Sequence, residues 1–201
     1  MVTNGSGARL HLQVTPYDCL PTTFVNAIIS LCARRAETDD ETAEAVWKAI
    51  RKIWQVASDR EEVNELKTIQ RLARALQRVA GLGLDVSFHE RSDVGGMLDL
   101  CERGSVVALR LYHSSGKAKE WWHYVLVLGV VGDDVLLFDP IRRDKVSQKI
   151  HEQHEDLTRK LKERGANLVL PREHIEATRE RRRYAMGPIE KRNCVLFRQR
   201  G

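Results

Sequence analysis

Apolar residues recur at helical spacing in the first 80 residues of this chain and alternate at strand spacing afterwards. This division limits the fold class more than any other feature. One apolar face predicts a helix over 20–33, with Pro21 tolerated in its first turn. Two further apolar stripes predict an antiparallel helical pair between residues 38 and 81, and a capping box opens each helix, at 38–41 and 58–61.

The second half of the chain is richer in strand patterns. Alternating apolar residues predict five strands, at 84–88, 105–111, 121–130, 135–139 and 194–198. Further helices are expected at 93–102 and 147–164. Because helices group early and strands group late, the pattern favours an α+β fold over alternating βαβ units. We expect a single domain over residues 1–201, with a helical insertion at about 38–81.

Composition excludes several classes of protein. The chain is 42% apolar and 30% charged, which is typical of a soluble globular protein, and it has no apolar run of about 18 residues that would span a membrane. Its first residues lack the apolar stretch of a signal peptide. Four scattered cysteines without a CxxC pair indicate neither a disulfide framework nor a zinc site. We therefore expect a cytoplasmic protein without cofactor or metal, and with no nucleic-acid or membrane partner.

Four side chains supply the parts of a thiol-nucleophile site, in the chain order Gln13, Cys19, His123 and Asp139. Cys19 opens the first predicted helix, where free N–H groups and the helix dipole favour a thiolate. The preceding Asp18 opposes this effect, so His123 is needed as a cationic partner. Gln13 and the Cys19 backbone N–H would form an oxyanion hole, and Asp139 would accept from the other imidazole nitrogen and fix its tautomer.

The hairpin that carries His123 and Asp139 allows two registers. A five-residue loop at 129–133 places His123 opposite Asp139, and it aligns four apolar pairs: Val125–Leu137, Val127–Val135, Tyr124–Phe138 and Leu126–Leu136. The alternative is a two-residue turn at Gly132 and Asp133, which would place Asp139 opposite Leu126, on the face away from His123. We predict the first register from its apolar pairs, although the pattern alone leaves both open.

Two tryptophans flank His123 and are candidate substrate-binding residues. Trp121 would share a strand face with His123, and Trp122 would lie on the opposite face. Trp121 is placed to shield the imidazole or to form the floor of a substrate groove. Ordinary core packing explains either residue equally well.

Other chemically suggestive residues have simpler explanations. His151 and His154 are spaced as two zinc ligands could be, but an exposed helix face accounts for them better. A basic run next to Tyr184 is diluted by glutamates, so we predict a solvated face there; its members are Arg179, Arg181, Arg182 and Arg183. The remaining cysteines are predicted to be core residues; they are Cys32, Cys101 and Cys194.

The motifs together carry a family resemblance. Gln13-x5-Cys19 with its following helix, then His123-Tyr-Val-Leu-Val-Leu-Gly and Phe138-Asp139-Pro140, resemble papain-like cysteine peptidases. The similarity is greatest to the bacterial double-glycine, bacteriocin-processing peptidase-like group. It implies a helical lobe led by the cysteine helix and packed on an antiparallel sheet. It also implies that Cys19 is the nucleophile, His123 the base, Asp139 its orienting group and Gln13 an oxyanion donor. The chain departs from the group at Leu20, where glycine is usual.

The expected function is an intracellular cysteine hydrolase that cleaves a peptide or other amide bond through a thioester acyl-enzyme. The same residues could instead transfer the acyl group to an amine. A different class of function is a catalytically silent papain-like module that binds a partner through its basic face. The presence of all four chemical groups favours the enzyme.

Overall fold

The computed structural model of the chain describes residues 2–3, 9–10, 12, 19–33, 44–51, 66–78, 83–112, 122–141, 166–178 and 183–200. The elements before the main sheet are β1 (Val2–Thr3), β2 (Arg9–Leu10), α1 (Cys19–Ala33), the described part of α2 (44–51) and α3 (Leu66–Gln77). They are followed by β3 (Leu84–Glu90), α4 (Val94–Glu102), β4 (Val106–Tyr112), β5 (Trp122–Val131), β6 (Asp134–Phe138), β7 (Leu168–Pro171), α5 (Arg172–Glu176), a 3-10 turn (Ile189–Lys191) and β8 (Asn193–Gln199).

Six of these strands form one antiparallel sheet in the order β3-β8-β4-β5-β6-β7. The five predicted strands are all present, with ends that differ from the prediction by no more than two residues. The edge strand β7 was not predicted, because it is only four residues long and ends in a proline. The helix predicted at 147–164 and both capping boxes lie outside the described residues.

Residues alternate between the two faces of the sheet and supply two core clusters. One face packs against α1, α2 and α3 through residues that include Ala108, Tyr124, Leu126, Phe138 and Phe197. The other face packs against α4 and α5 through residues that include Leu109, Leu111, Val125, Leu137 and Leu196. Period-2 alternation in β4, β5 and β6 therefore builds both cores at once, which explains why β4 and β6 are buried along most of their length and β5 is buried over residues 123–127.

Helix α1 packs on the sheet against β5, β4 and β8, while α3 packs against β3. Residues 19–31 are all buried, as expected for a helix covered on opposite sides. The described side chains of the predicted helical pair share one core cluster with α1; those fully buried include Val46, Ile50, Ile69, Leu72 and Leu76, and Trp47 is partly buried beside them. Each fully buried side chain of this kind contributes roughly 1.5 to 3 kcal/mol before conformational entropy is subtracted. Trp54 and the Leu66 side chain lie outside the described residues.

The β5–β6 hairpin uses the two-residue turn, so the predicted five-residue loop is wrong. Val131 faces Asp134 across the turn, and Gly132 and Asp133 form its centre. Gly132 has φ +61°, which suits the first central position of a type II′ turn. A turn of this type matches the twist of the two strands, and the prediction from apolar pairs did not take this into account.

The two-residue turn alone would place Asp139 on the face of the sheet away from His123, but a β-bulge in β5 prevents this. Gly129 pairs with Leu136, but the next pair is Val127 with Leu137, so Leu128 is an extra residue in β5. A shift of one residue moves every later side chain to the other face. Asp139 therefore follows Leu137 onto the face that carries His123, instead of lying opposite Leu126.

Gly187 is required by a close approach to an aromatic ring. Its φ is +69°, and a Cβ at this position would lie 2.2 Å from a ring carbon of Tyr112. We predict that Gly187→Ala lowers the free energy of unfolding by roughly 2 to 5 kcal/mol, because backbone strain and overpacking add. Urea unfolding measures this loss. Gly83→Ala is the matched control, since Gly83 has φ +52° with no atom within 4 Å and should lose only about 1 to 2 kcal/mol. Equal losses in the two variants would show that the contact with Tyr112 is unimportant.

Candidate active site

Cys19 is the first residue of α1, and a hydrogen bond fixes this end of the helix against β5. Thr23 lies one turn further along and donates from its Oγ1 to the carbonyl of Tyr124 at 3.0 Å. Strand β5 pairs with β6 only as far as Leu126. Tyr124 lies beyond that point, so Thr23 binds a part of β5 that is not paired with β6. Because Tyr124 follows His123 directly, this bond fixes the start of α1 beside His123.

His123 lies between a carboxylate and the thiol. Its Nε2 is 2.6 Å from Asp139 Oδ1, and the two side chains are 3% and 1% exposed. An ionised carboxylate can only accept, so Nε2 carries the proton. The Cys19 thiol lies close enough to the same imidazole to raise its pKa, and since Nε2 is directed at Asp139, Nδ1 is the nitrogen left to face the thiol. The structure thus brings together three of the four side chains singled out in the sequence; Gln13 lies outside the described residues.

Both oxygens of the Asp139 carboxylate are occupied. Oδ1 accepts from His123 Nε2 and from the backbone N–H of Ile141 at 2.9 Å, and Oδ2 accepts from the Tyr184 hydroxyl. The backbone of Asp139 is held as well, because the Asn167 amide donates to its carbonyl and accepts from its N–H, each at 2.7 Å. The carboxylate therefore has little freedom to rotate away from the imidazole.

Tyr184 and Asn167 were not identified from the sequence. Arg183 belongs to the basic run that was predicted to be a solvated face, and for this residue the prediction is wrong, since Arg183 is only 7% exposed. The neighbouring Tyr184 is fully buried. Burial follows from the Tyr184 contact with Asp139 and from packing of Arg183 over the Tyr184 ring at 5.7 Å. Arg179, Arg181 and Arg182 lie outside the described residues.

The electrostatics favour a charged pair. Burial acts against the charged form of His123, but the Asp139 carboxylate and the Cys19 thiol outweigh it and raise the pKa of His123 to about 10. Burial likewise acts against the charged form of Asp139. The imidazolium and the hydrogen bonds from His123, Tyr184 and Ile141 outweigh it and lower the pKa of Asp139 to about 2. At neutral pH the site therefore holds an imidazolium and a carboxylate.

Trp122 lies on the face of β5 opposite His123, as predicted. It pairs with Tyr112 across the strands, its ring centre is 4.0 Å from that of Tyr112, and the Arg110 guanidinium lies 3.9 Å from its ring centre. Trp122 is half-buried. Its role in substrate binding stays a prediction, and so does that of Trp121, which lies outside the described residues.

The ion pair predicts how stability depends on pH. The pKa of His123 is raised from 6.5 to about 10, so its contribution is complete below about pH 6.5 and is lost as pH rises through about 10. The pKa of Asp139 is lowered from 3.8 to about 2, so its contribution to stability is complete above about pH 3.8 and is lost as pH falls through about 2. We expect the difference in unfolding free energy between the native protein and His123→Gln to shrink between about pH 6 and about pH 10. Urea unfolding at both pH values tests this, and an unchanged difference would contradict the charged pair.

Within the described ranges, no three histidine, cysteine or acidic side chains come together to hold a metal ion. His151 and His154 lie outside those ranges. The helices that the structure describes include none that is both long and apolar enough to cross a membrane. Cys101 and Cys194 are buried, as predicted, whereas nothing is described of the Cys32 side chain.

The architecture defines a class: an α+β protein in which a cysteine-led helix packs on an antiparallel sheet that carries histidine and aspartate. No family model and no curated protein matches this sequence. Among solved structures, a Bacillus anthracis protein provisionally described as a C39-like peptidase superposes with a TM-score of 0.53. The match covers 100% of this chain and 99% of that chain, at 10% sequence identity. The chain therefore has the papain-like fold of a C39-like peptidase, as the sequence motifs implied.

Proposed function

We propose that this protein is a cysteine hydrolase that cleaves a peptide or other amide bond through a thioester acyl-enzyme. The observation that carries the proposal is the buried hydrogen bond between His123 and Asp139, with the Cys19 thiol at the first turn of α1 close enough to the imidazole to raise its pKa. A nucleophile beside a base that a third group orients is the arrangement that thiol acyl transfer needs.

The first half of the reaction forms the acyl-enzyme. The Cys19 thiolate attacks the carbonyl carbon of the amide, and the negative charge moves to the carbonyl oxygen. The helix start offers the Cys19 backbone N–H to that oxygen, and the Gln13 side chain is proposed as the second donor. As the C–N bond breaks, His123 gives its Nδ1 proton to the leaving amine, and Asp139 keeps the imidazole oriented.

The second half regenerates the site. Water attacks the thioester carbonyl, and His123 Nδ1 accepts a proton from that water. The C–S bond breaks, the acid product leaves, and the thiolate–imidazolium pair is restored. The acceptor decides the reaction: water gives hydrolysis, which is the reaction proposed here, and an amine in place of water would give acyl transfer with the same residues.

Three narrower features of the proposal rest on the sequence alone. A peptide substrate like those of the double-glycine, bacteriocin-processing group follows from the resemblance, substrate contacts from Trp121 and Trp122 follow from their positions beside His123, and an intracellular location follows from the cysteine pattern and the N-terminal sequence. The described structure supports the proposal at the level of the fold and of the Cys19–His123–Asp139 contacts.

The reactivity of individual cysteines separates an enzyme from a silent binding module. With limiting iodoacetamide near neutral pH, Cys19 should alkylate much faster than Cys101 or Cys194, as measured by peptide mapping. Burial raises the pKa of Cys194 to about 11, despite its hydrogen bond with Ser92, so this thiol serves as an internal reference. If Cys19 reacts no faster than these two thiols, the site is not an activated nucleophile and the silent module is favoured.

A further inference from the structure

The hydroxyl of Tyr184 reaches the one carboxylate oxygen of Asp139 that His123 does not use. Oδ1 already accepts from His123 and from the Ile141 N–H. A carboxylate with one oxygen free can rotate about its bond to the Cβ, which would move Oδ1 away from the imidazole. The Tyr184 contact opposes that rotation and also favours the ionised form of the carboxylate.

Tyr184 adopts an unfavourable backbone conformation to make this contact. Its φ is +62°, in a region of backbone conformation that bulky residues rarely occupy. Among the described non-glycine residues, only Tyr184 and Arg91 have a positive φ. Such conformations are energetically unfavourable and tend to occur at functional sites. Core packing by itself does not require a positive φ at a tyrosine, so the contact with Asp139 is the better explanation of this backbone conformation.

Backbone hydrogen bonds on both sides hold Tyr184 in place. Its N–H donates to the Tyr112 carbonyl at 2.8 Å, and the Tyr112 N–H donates to the Ala185 carbonyl at 2.9 Å. Met186 donates to the Ile175 carbonyl, and the Arg192 side chain donates to the Gly187 carbonyl. Tyr112 is the last residue of β4 and follows Leu111, which pairs with His123. The segment that carries Tyr184 is thus joined to the sheet beside the catalytic candidates.

We propose that Tyr184 is a positioning residue that holds the Asp139 carboxylate against His123, so that the imidazole stays aligned with the Cys19 thiol. This inference rests on the proposed function for its catalytic consequence. Tyr184 is fully buried and touches Asp139, so it acts through that carboxylate. Among the described ionisable groups near it, Arg183 lies over its ring and His174 hydrogen-bonds to the Arg183 carbonyl.

Tyr184→Phe removes the hydroxyl and keeps the ring, and Ser92→Ala is its control. Ser92→Ala also removes one buried hydroxyl, but the hydrogen bonds of this hydroxyl go to the His89 carbonyl and to Cys194. We expect the rate of Cys19 alkylation near neutral pH to fall roughly 10- to 100-fold in Tyr184→Phe, the equivalent of one charge-assisted hydrogen bond. Cys19 of Ser92→Ala should be alkylated at close to the native rate. On a cleaved amide, Tyr184→Phe should lower kcat and leave KM nearly unchanged.

A spectroscopic measurement keeps the inference separate from the proposed function. The proton on His123 Nε2, in a 2.6 Å hydrogen bond, should give a far-downfield NMR signal that shifts or disappears in Tyr184→Phe and persists in Ser92→Ala. If Cys19 of the native protein is unreactive but this signal behaves as expected, the proposed function fails and the positioning role stands. If both the signal and the alkylation rate of Tyr184→Phe match those of the native protein, the positioning role is overturned.

Discussion

Cys19→Ala is expected to abolish amide cleavage altogether while the protein still folds. The thiol is the only group in the candidate site that can form the covalent intermediate, so its removal leaves His123 and Asp139 without a nucleophile. Cys19 is buried at the helix start, and alanine fills most of its volume without introducing a polar group. Turnover of any cleaved amide should fall to the background rate, whereas circular dichroism and urea unfolding should stay close to native.

Cys101→Ala provides the control for this result. Cys101 is buried in α4, so the same chemical change is made in a different helix. Its turnover should remain near that of the native protein. Turnover in Cys19→Ala at the level of Cys101→Ala would exclude a mechanism that depends on the Cys19 thiol.

Asp139→Ala is expected to have the second largest effect, because it leaves a buried imidazolium without its partner. Breaking one side of a buried ion pair costs about 3 to 5 kcal/mol of stability. Without an acceptor for Nε2–H, the imidazole loses its fixed tautomer and orientation, and kcat should fall on the order of 10³ to 10⁴. Equilibrium unfolding and steady-state kinetics measure the two losses separately.

Two companion variants assign the cause of this effect. Asp139→Asn keeps an oxygen that can accept from His123 but removes the charge, so its loss of stability should lie between those of the native protein and Asp139→Ala. Asp85→Ala removes an exposed carboxylate from β3 and should change stability by less than about 0.5 kcal/mol. If Asp139→Ala is as stable and as active as Asp85→Ala, Asp139 is not the orienting group.

The hairpin of β5 and β6 shows how far sequence patterns predict the site. The pattern predicted two strands and a contact between His123 and Asp139, and that contact is present at 2.6 Å. The register predicted for it was wrong, because the chain combines a two-residue turn with a bulge at Leu128. Each of these shifts the pairing, and together they return Asp139 to the expected face. Apolar alternation cannot reveal two compensating shifts, because every residue concerned is apolar in either register.

Residues that support the site from a distance could not be predicted at all. Asn167 holds the Asp139 backbone from 28 positions away, and Tyr184 reaches its carboxylate from 45 positions away. Neither residue belongs to a motif, and Tyr184 lies beside a basic run that indicated solvent exposure. Their roles depend on where the chain returns to the sheet after β6, which is tertiary information. By contrast, Cys19 was predictable because local helix periodicity places it at the start of α1.

Trapping the acyl-enzyme tests the central claim most directly. A peptide substrate found in a cleavage screen would be mixed with the native protein, quenched in acid within one turnover, and analysed by mass spectrometry. We predict an adduct on Cys19 with the mass of the acyl half of the substrate, labile to hydroxylamine as a thioester is. The adduct should be absent from Cys19→Ala and present in Cys101→Ala. Cleavage by the native protein with no adduct on Cys19, together with equal cleavage by Cys19→Ala, would contradict the account.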